Sequence, residues 1–280
     1  MTALRIAVIG GSGLYRLFDE RDDIETVTVE TPYGPPSGPI RIGRVGGRRV
    51  AFLARHGEDH ALAPHRIPYR ANLWALASLG VCAIVTSSAV GGISDRARPG
   101  TFLVPDQLID RTAGRPDTFF DGDDVQHLAA AEPFDPVLCR AAARALTGLG
   151  EEVVPNGTTV VIQGPRFSTR AESGWYRAAG ADIVNMTQYP EAVLAAELGM
   201  GLVTIAFVTD TDAGTAAGDT ADAVDAARVL ERMAQAGPRL RSAVAATIAE
   251  IPTGYRPRTL IPAAAVQRVL AAPLAAEQSR

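Results

Sequence analysis

The chain has 280 residues, 47% of them hydrophobic, and a formal net charge of −4 with no basic block. That is enough for a substantial core in one large domain, and it excludes a nucleic-acid partner held mainly through phosphate contacts. The N-terminus lacks an apolar core followed by a cleavage signal, and no apolar run reaches spanning length. A soluble, cytoplasmic protein with no membrane partner is expected.

Arg5–Ile9 is predicted as a buried strand, with Gly10-Gly11-Ser12-Gly13 as its turn. Residues 24–54 alternate apolar and polar around the break Pro32-Tyr33-Gly34-Pro35-Pro36, which predicts antiparallel strands. Arg70–Leu79 carries a helical apolar stripe ending at Gly80, and the run 81–86 is the next strand. Two short strands are predicted within 102–112, then an alanine-rich helix over Pro136–Leu149. Val160–Gln163 reads as a strand, Arg170–Ala179 as a helix, Ile183–Asn185 as a short strand and Glu191–Leu198 as a helix. Gly201–Val208 is the last core strand, and Ala221–Ile251 is a long helix with a break expected near Gly237-Pro238. No internal repeat or linker is present. Residues 1–251 are therefore expected to form the domain, with 252–280 a proline- and alanine-rich tail, flexible or docked. The fold class predicted is α/β, a single domain with a central mixed twisted β-sheet flanked by helices.

Four of the apolar runs end abruptly in small or polar residues, at Gly10-Gly11-Ser12-Gly13, Arg55-His56-Gly57, Ser87-Ser88-Ala89-Val90-Gly91-Gly92 and Thr209-Asp210-Thr211-Asp212. Open α/β sheets bind ligands beyond the carboxyl ends of their strands, so four such ends together describe a pocket. The first three suit an anion, and the fourth suits a purine-like base. Gly11-x-Gly13 lacks the third glycine of a dinucleotide fingerprint, since Arg16 holds that place. What remains is an ordinary glycine turn or a loop whose N–H groups and Ser12 hydroxyl wrap an anion. Arg55 ends the run Val50–Leu53, where a cation without a partner is expensive, and its fork of donors suits phosphate. The Ser87–Gly92 segment is read as a second nest of donors after its strand, or as a serine-rich turn.

His56, His60 and His65, spread around a proline-containing loop, make a loose ligand set, so no metal is expected. Cys82 and Cys139 fit no metal-type spacing and read as small buried thiols. Phe167, on a loop beside Gly164-Pro165, is either core or a flat platform for a base. Glu172 fits a helix start capped by Ser168 or Thr169. Asp210 and Asp212 follow seven apolar residues, so alternation on an extended segment aims both carboxyls at one ligand; the alternative is a turn role. A close pair raises one pKa, and a protonated Asp can give a proton to a leaving nitrogen.

In this order, these stretches resemble the methylthioadenosine phosphorylase branch of the trimeric purine nucleoside phosphorylases. The matching pieces are Ile9–Gly13, Thr31–Gly34, Arg55–Gly57 with His60, Tyr69–Leu76, Asp106–Thr112, Ala131–Phe134, Gln163–Ser173, Asn185–Thr187 with Pro190-Glu191, and Thr209–Asp212. The resemblance implies a nucleoside phosphorylase fold and reversible phosphorolysis, with inorganic phosphate as co-substrate and no cofactor. It further implies that Ser12, Arg55, His56, Ser88, Ala89 and Thr187 hold phosphate, that Met186 lies along the ribose and that Phe167 packs on the base. Asp210 would address N7 and Asp212 the 6-amino group, the two being the expected catalytic residues. Ser168 and His127 are the implied specificity positions, His127 reaching the 5′ end of the nucleoside from a neighbouring subunit of a homotrimer. Thr215–Ala226 is expected to line the 5′ pocket.

The chemistry agrees with this assignment. Cleaving the glycosidic bond builds positive charge on the ribose and negative charge on the purine, which a phosphate and a proton at N7 answer. An ionised acid accepts from a 6-amino N–H but opposes a 6-oxo oxygen. 5′-Methylthioadenosine is the substrate expected. The alternatives are a broader purine nucleoside phosphorylase (taking methylthioinosine or 5′-deoxy-5′-haloadenosine), a hydrolytic nucleosidase and a non-catalytic purine-binding trimer.

Overall fold

The structure, a computed structural model, describes residues 4–18, 23–57, 60–214 and 225–274. The strands are β1 (Ile6–Gly10), β2 (Glu25–Val27), β3 (Ile40–Val45), β4 (Arg48–Ala54), β5 (Ala83–Gly92), β6 (Phe102–Leu103), β7 (Gln107–Arg111), β8 (Val153–Val154), β9 (Thr158–Ile162), β10 (Ile183–Asn185) and β11 (Gly201–Asp210). The helices are α1 (Tyr69–Ser78), α2 (Pro136–Gly148), α3 (Arg170–Ala178), α4 (Gln188–Glu197), α5 (Ala226–Glu250) and α6 (Ala263–Leu270).

One path through the sheet runs β2-β3-β4-β1-β5-β10-β9-β7, and β11, β6 and β8 branch from β5. The β2, β3 and β4 pairings are antiparallel, as the early alternation predicts. The β4, β1, β5 and β11 pairings are parallel, so the sheet is mixed. Such parallel strands are covered on both faces, which is why β1 and β11 are buried at every residue.

The sheet forks at β5. One edge of β5 pairs with β11 from Ala83 to Gly91. The other edge pairs with β1 only over Ala83–Thr86, and with β10 only at Gly91 and Gly92. Residues 87–90 therefore present an unpaired main-chain edge in the gap between β1 and β10. This corrects the expected nest: the serine-rich segment is strand, because β11 continues beside it and satisfies its other edge.

Helix α5 runs unbroken through Pro238, against the break expected there. Its buried stripe (Met233, Ala236, Leu240, Ala243, Val244 and Ile248 among it) packs on the core, and that burial outweighs the lost bond at proline. Residues 221–224 of the expected helix lie outside the described set, and Asp225 caps the helix through Ala227 N. The tail is fastened as far as α6. Tyr255 and Ile261 are buried, and Trp74 Nε1 donates to Val269 O at 3.0 Å.

Candidate active site

A cleft of about 300 Å³ opens in the gap of the fork. Ser12, Arg55, His56, Ser88, Ala89, Phe167, Met186, Thr187, Asp210 and Asp212 all line it, together with His60 and Thr209. Ser168 and His127 do not.

At one end β1 turns back on β5. Gly11 N donates to Ser87 Oγ at 3.2 Å, and a Cβ on Gly11 would stand 2.4 Å from Ser87 O and 2.6 Å from Arg55 Nη1. Only glycine lets the turn close on the arginine. Arg55 is 1% exposed, but its first partner is a residue to which the sequence reading gave no role. Nε and Nη2 each donate to the Glu191 carboxylate at 2.8 Å, and Nη1 donates to Ser87 O at 2.9 Å. The expectation that an anion would be its partner is corrected to that extent: a buried ion pair already neutralises the guanidinium. Of five N–H groups, one on each Nη remains for a ligand.

His56 Nδ1 lies 2.8 Å from Leu62 O, a carbonyl that can only accept, so Nδ1 carries a hydrogen. Burial, with Arg55 adding to it, pulls this imidazole down to about 4, so it is neutral near pH 7 and holds a lone pair on Nε2. His60 stacks on it at 4.1 Å between ring centres, and Tyr15 Oη lies 3.3 Å from His60 Nδ1. On the unpaired edge of β5, Ser88 is 3% exposed and its Oγ has no hydrogen-bond partner. Thr187 stands at the start of α4. Asn185 Oδ1 accepts from Thr187 N and Gln188 N, each at 2.7 Å, an Asx-type turn that holds Thr187 on the wall of the cleft.

At the other end stand the two carboxyls. Both are 2% exposed. The strand carries Asp210, but Asp212 lies beyond it with φ of 51°, so simple alternation does not bring them together. An Asx-type bond does: Asp212 N donates to Asp210 Oδ1 at 2.9 Å. Gly91 leaves the room, since a Cβ there would stand 3.0 Å from Asp210 Oδ1 and 3.1 Å from Asp212 Cβ. Burial pushes Asp210 up to about 6, against the hydrogen bonds from Thr209 and Asp212 N. The Thr209 hydroxyl reaches Asp210 Oδ2 at 2.7 Å and Val90 O at 3.2 Å. It can serve the ionised carboxylate or turn to the carbonyl when the acid holds its own proton. Asp212 is also raised by burial, with Ser173 and Ser168 opposing the shift. Ser173 Oγ donates to Asp212 Oδ2. Ser168 Oγ is buried near this carboxyl without hydrogen-bond geometry to any partner.

The apolar lining comprises Ile162, Pro165, Phe167, Val184 and Met186, with Ala226, Val229 and Leu230 of α5. Phe167 is 36% exposed, a ring on the wall of the cleft rather than in the core. The helix after it starts with Thr169 and Glu172 in a capping box, one of the two caps expected. His127 is exposed on the connector between β7 and α2, away from this cleft. Of the expected 5′-pocket segment, residues 215–224 lie outside the described set, and Ala226 does line the cleft. Sequence reasoning missed Glu191, Asn185, Thr209 and Ser173 as parts of the site. The only local signal was their place in the same motifs.

The arrangement combines hydroxyls and residual guanidinium donors at one end with a protonatable acid at the other, and apolar walls between. Residues 5–249 match the family model described as the phosphorylase superfamily. The chain is 55% identical over 229 residues to the S-methyl-5′-thioadenosine phosphorylase of Mycolicibacterium smegmatis, covering 82% of this chain and 85% of the relative. It is 48% identical over 255 residues to the purine nucleoside phosphorylase of Streptomyces coelicolor, covering 88% and 89%. Among solved structures, the methylthioadenosine phosphorylase of Schistosoma mansoni in complex with adenine superposes with a TM-score of 0.84 at 32% identity, covering 96% of this chain and 98% of that one.

Proposed function

The chain belongs to the phosphorylase superfamily, and from that membership we propose that it cleaves 5′-methylthioadenosine with inorganic phosphate, releasing adenine and 5-methylthioribose 1-phosphate. The observation that carries this reading is the pairing, across one cleft, of an orphaned buried hydroxyl at Ser88 with a buried acid whose pKa stands at about 6. Phosphate sits at the Arg55 end, taking hydrogen bonds from Ser12, Ser88 and Thr187, the Ala89 N–H and the remaining guanidinium donors. Neutral His56 accepts through Nε2, so the phosphate form it welcomes is one carrying a proton. The base lies against Phe167 and the ribose along Met186. As the C1′–N9 bond breaks, its electrons leave with the purine, Asp210 gives its proton to N7, and a phosphate oxygen adds to the cationic C1′. Asp212 accepts from the 6-amino group.

The apolar lining from α5 (Ala226, Val229 and Leu230) favours an apolar 5′ substituent over a hydroxyl. The exposure of His127 is compatible with a role at the nucleoside of a neighbouring subunit, and a homotrimer in the cytoplasm completes the reading. Phosphate is a co-substrate, and the scheme needs no cofactor.

Product analysis with and without phosphate tests it. Sugar 1-phosphate formed only when phosphate is present is the expected result, and free pentose formed at the same rate without phosphate overturns it. A broader purine nucleoside phosphorylase is the second reading, favoured by the Streptomyces coelicolor relative of that name. Rates on methylthioadenosine, adenosine, inosine and methylthioinosine separate the two, and inosine outrunning both adenine nucleosides would defeat the role given to Asp212.

A further inference from the structure

Arg115 lies on the connector after β7 and is 8% exposed. Its guanidinium reaches main-chain carbonyls on two stretches, Ile162-Gln163 and Met186–Tyr189, that contribute to the walls of the cleft. Nη2 donates to Gln163 O at 2.9 Å and lies 3.4 Å from Ile162 O, at the end of β9. Nη1 donates to Met186 O at 3.0 Å, past the end of β10, and to Tyr189 O at 2.6 Å, at the extended residue that interrupts the start of α4. Nε donates to Gln163 Oε1 at 3.2 Å, which also accepts from Ala113 N at 3.1 Å. A planar fork can serve several carbonyls at once, whereas an ammonium cannot match that geometry.

These carbonyls mark where two neighbouring strands part. β9 and β10 pair in parallel up to Val161 and Asn185. Beyond that, one chain leads through Gly164 to Phe167 and the other to Met186 and Thr187. A second observation fixes how close the two walls stand: a Cβ on Gly164, which has φ of 63°, would lie 2.7 Å from Met186 Sδ. The methionine therefore packs directly over the turn that carries Phe167.

We propose that Arg115 is a positioning residue that sets the separation between the Met186 wall and the Phe167 wall, and so governs nucleoside binding from outside the cleft. The proposal rests on the nucleoside roles given to Met186 and Phe167 under the proposed function. It makes an asymmetric demand. The arginine holds both walls of the nucleoside slot, whereas Ser12 and Ser88 stand on β1 and β5, which it does not touch; of the phosphate end only Thr187 and the Glu191 partner of Arg55 adjoin a segment it holds.

The experiment measures phosphorolysis of 5′-methylthioadenosine by wild type, Arg115→Met and Arg115→Lys, varying nucleoside and phosphate separately, with circular dichroism melting to score the fold. In Arg115→Met the KM for nucleoside should rise about tenfold or more, because small displacements of positioning groups are costly. The KM for phosphate should rise much less, by about threefold at most, through Thr187. Arg115→Lys should recover little, and millimolar guanidinium ion should restore part of the nucleoside affinity of Arg115→Met. If Arg115→Met does not fold, Gln163→Leu, which removes one partner and keeps the arginine, should show the same asymmetry in smaller measure. Two KM values rising in parallel, or an unchanged nucleoside KM in a folded variant, overturn the proposal while an active wild type leaves the proposed function standing. A wild type that phosphorolyses no nucleoside overturns both.

Discussion

The two ends of the cleft handle buried charge in opposite ways. At the end proposed to take phosphate the cation is already neutralised: Arg55 and Glu191 are each 1% exposed and joined at 2.8 Å. At the base end two carboxyls are buried among hydroxyls and a main-chain N–H, and burial raises both pKa values. The difference teaches what each end is for. A neutralised arginine supplies fixed donors without a large net field, which on the proposed function selects the anion by geometry. A carboxyl held near 6 keeps a usable proton close to neutral pH, which a solvated aspartate does not.

Removing Glu191 strikes this contrast hardest. Glu191→Ala leaves a buried guanidinium without its partner, a loss of about 3–5 kcal/mol in stability. Inorganic phosphate should then raise the melting temperature of the variant more than that of wild type, because the ligand takes the vacated position. Equal shifts in the two proteins would break the view that Arg55 is satisfied in advance.

Asp210→Asn comes next. It should cost about 10²–10⁴-fold in turnover of methylthioadenosine, the range of general-acid catalysis. Its effect on stability should have the opposite sign. The folded pKa of Asp210 lies above its unfolded value of 3.8, so the folded state binds the extra proton and wild type loses stability as pH rises from about 4 to about 6. Asn carries no charge to bury, so the variant should melt above wild type at pH 8, by up to about 2–3 kcal/mol. Denaturant titrations at pH 4 and pH 8 measure this, and a variant less stable than wild type at pH 8 contradicts it. In wild type kcat/KM for nucleoside should fall as pH rises through about 6, a limb that Asp210→Asn should lack.

The smallest effect sharpens the other end. Ser88→Ala removes the one unpartnered hydroxyl on the β5 edge. The KM for phosphate should rise about tenfold, the worth of a hydrogen bond to a charged group, with the KM for nucleoside little changed. A larger change in nucleoside than in phosphate would assign Ser88 to the wrong end.

Much of this was legible in the sequence because strand ends carry local signals. An apolar run followed by Gly11 and Ser12, or by Asp210, declares its own boundary. The residues that were misread depend on distant partners. The Ser87–Gly92 segment has the composition of a turn, yet it is strand because β11, more than a hundred residues later, runs beside it. Arg55 was recognised as a buried cation in need of a partner, but Glu191 lies 136 residues away and no local spacing links them. Asp212 was placed by alternation, although its positive φ takes it off the strand. Helix α6 sits in a tail whose composition suited loose docking, and what holds it is Trp74 from α1.

The fork at β5 has a mechanical consequence. Between Ser87 and Val90 the sheet is missing one neighbour, so β1 and β10 are joined only through the strand they share. On the proposed function, a phosphate filling that space would stand in for the absent rung and bridge the two arms. Occupancy should therefore slow amide exchange on both flanking strands together, including β10 residues that the ligand never meets, as if a clasp had been closed across the opening.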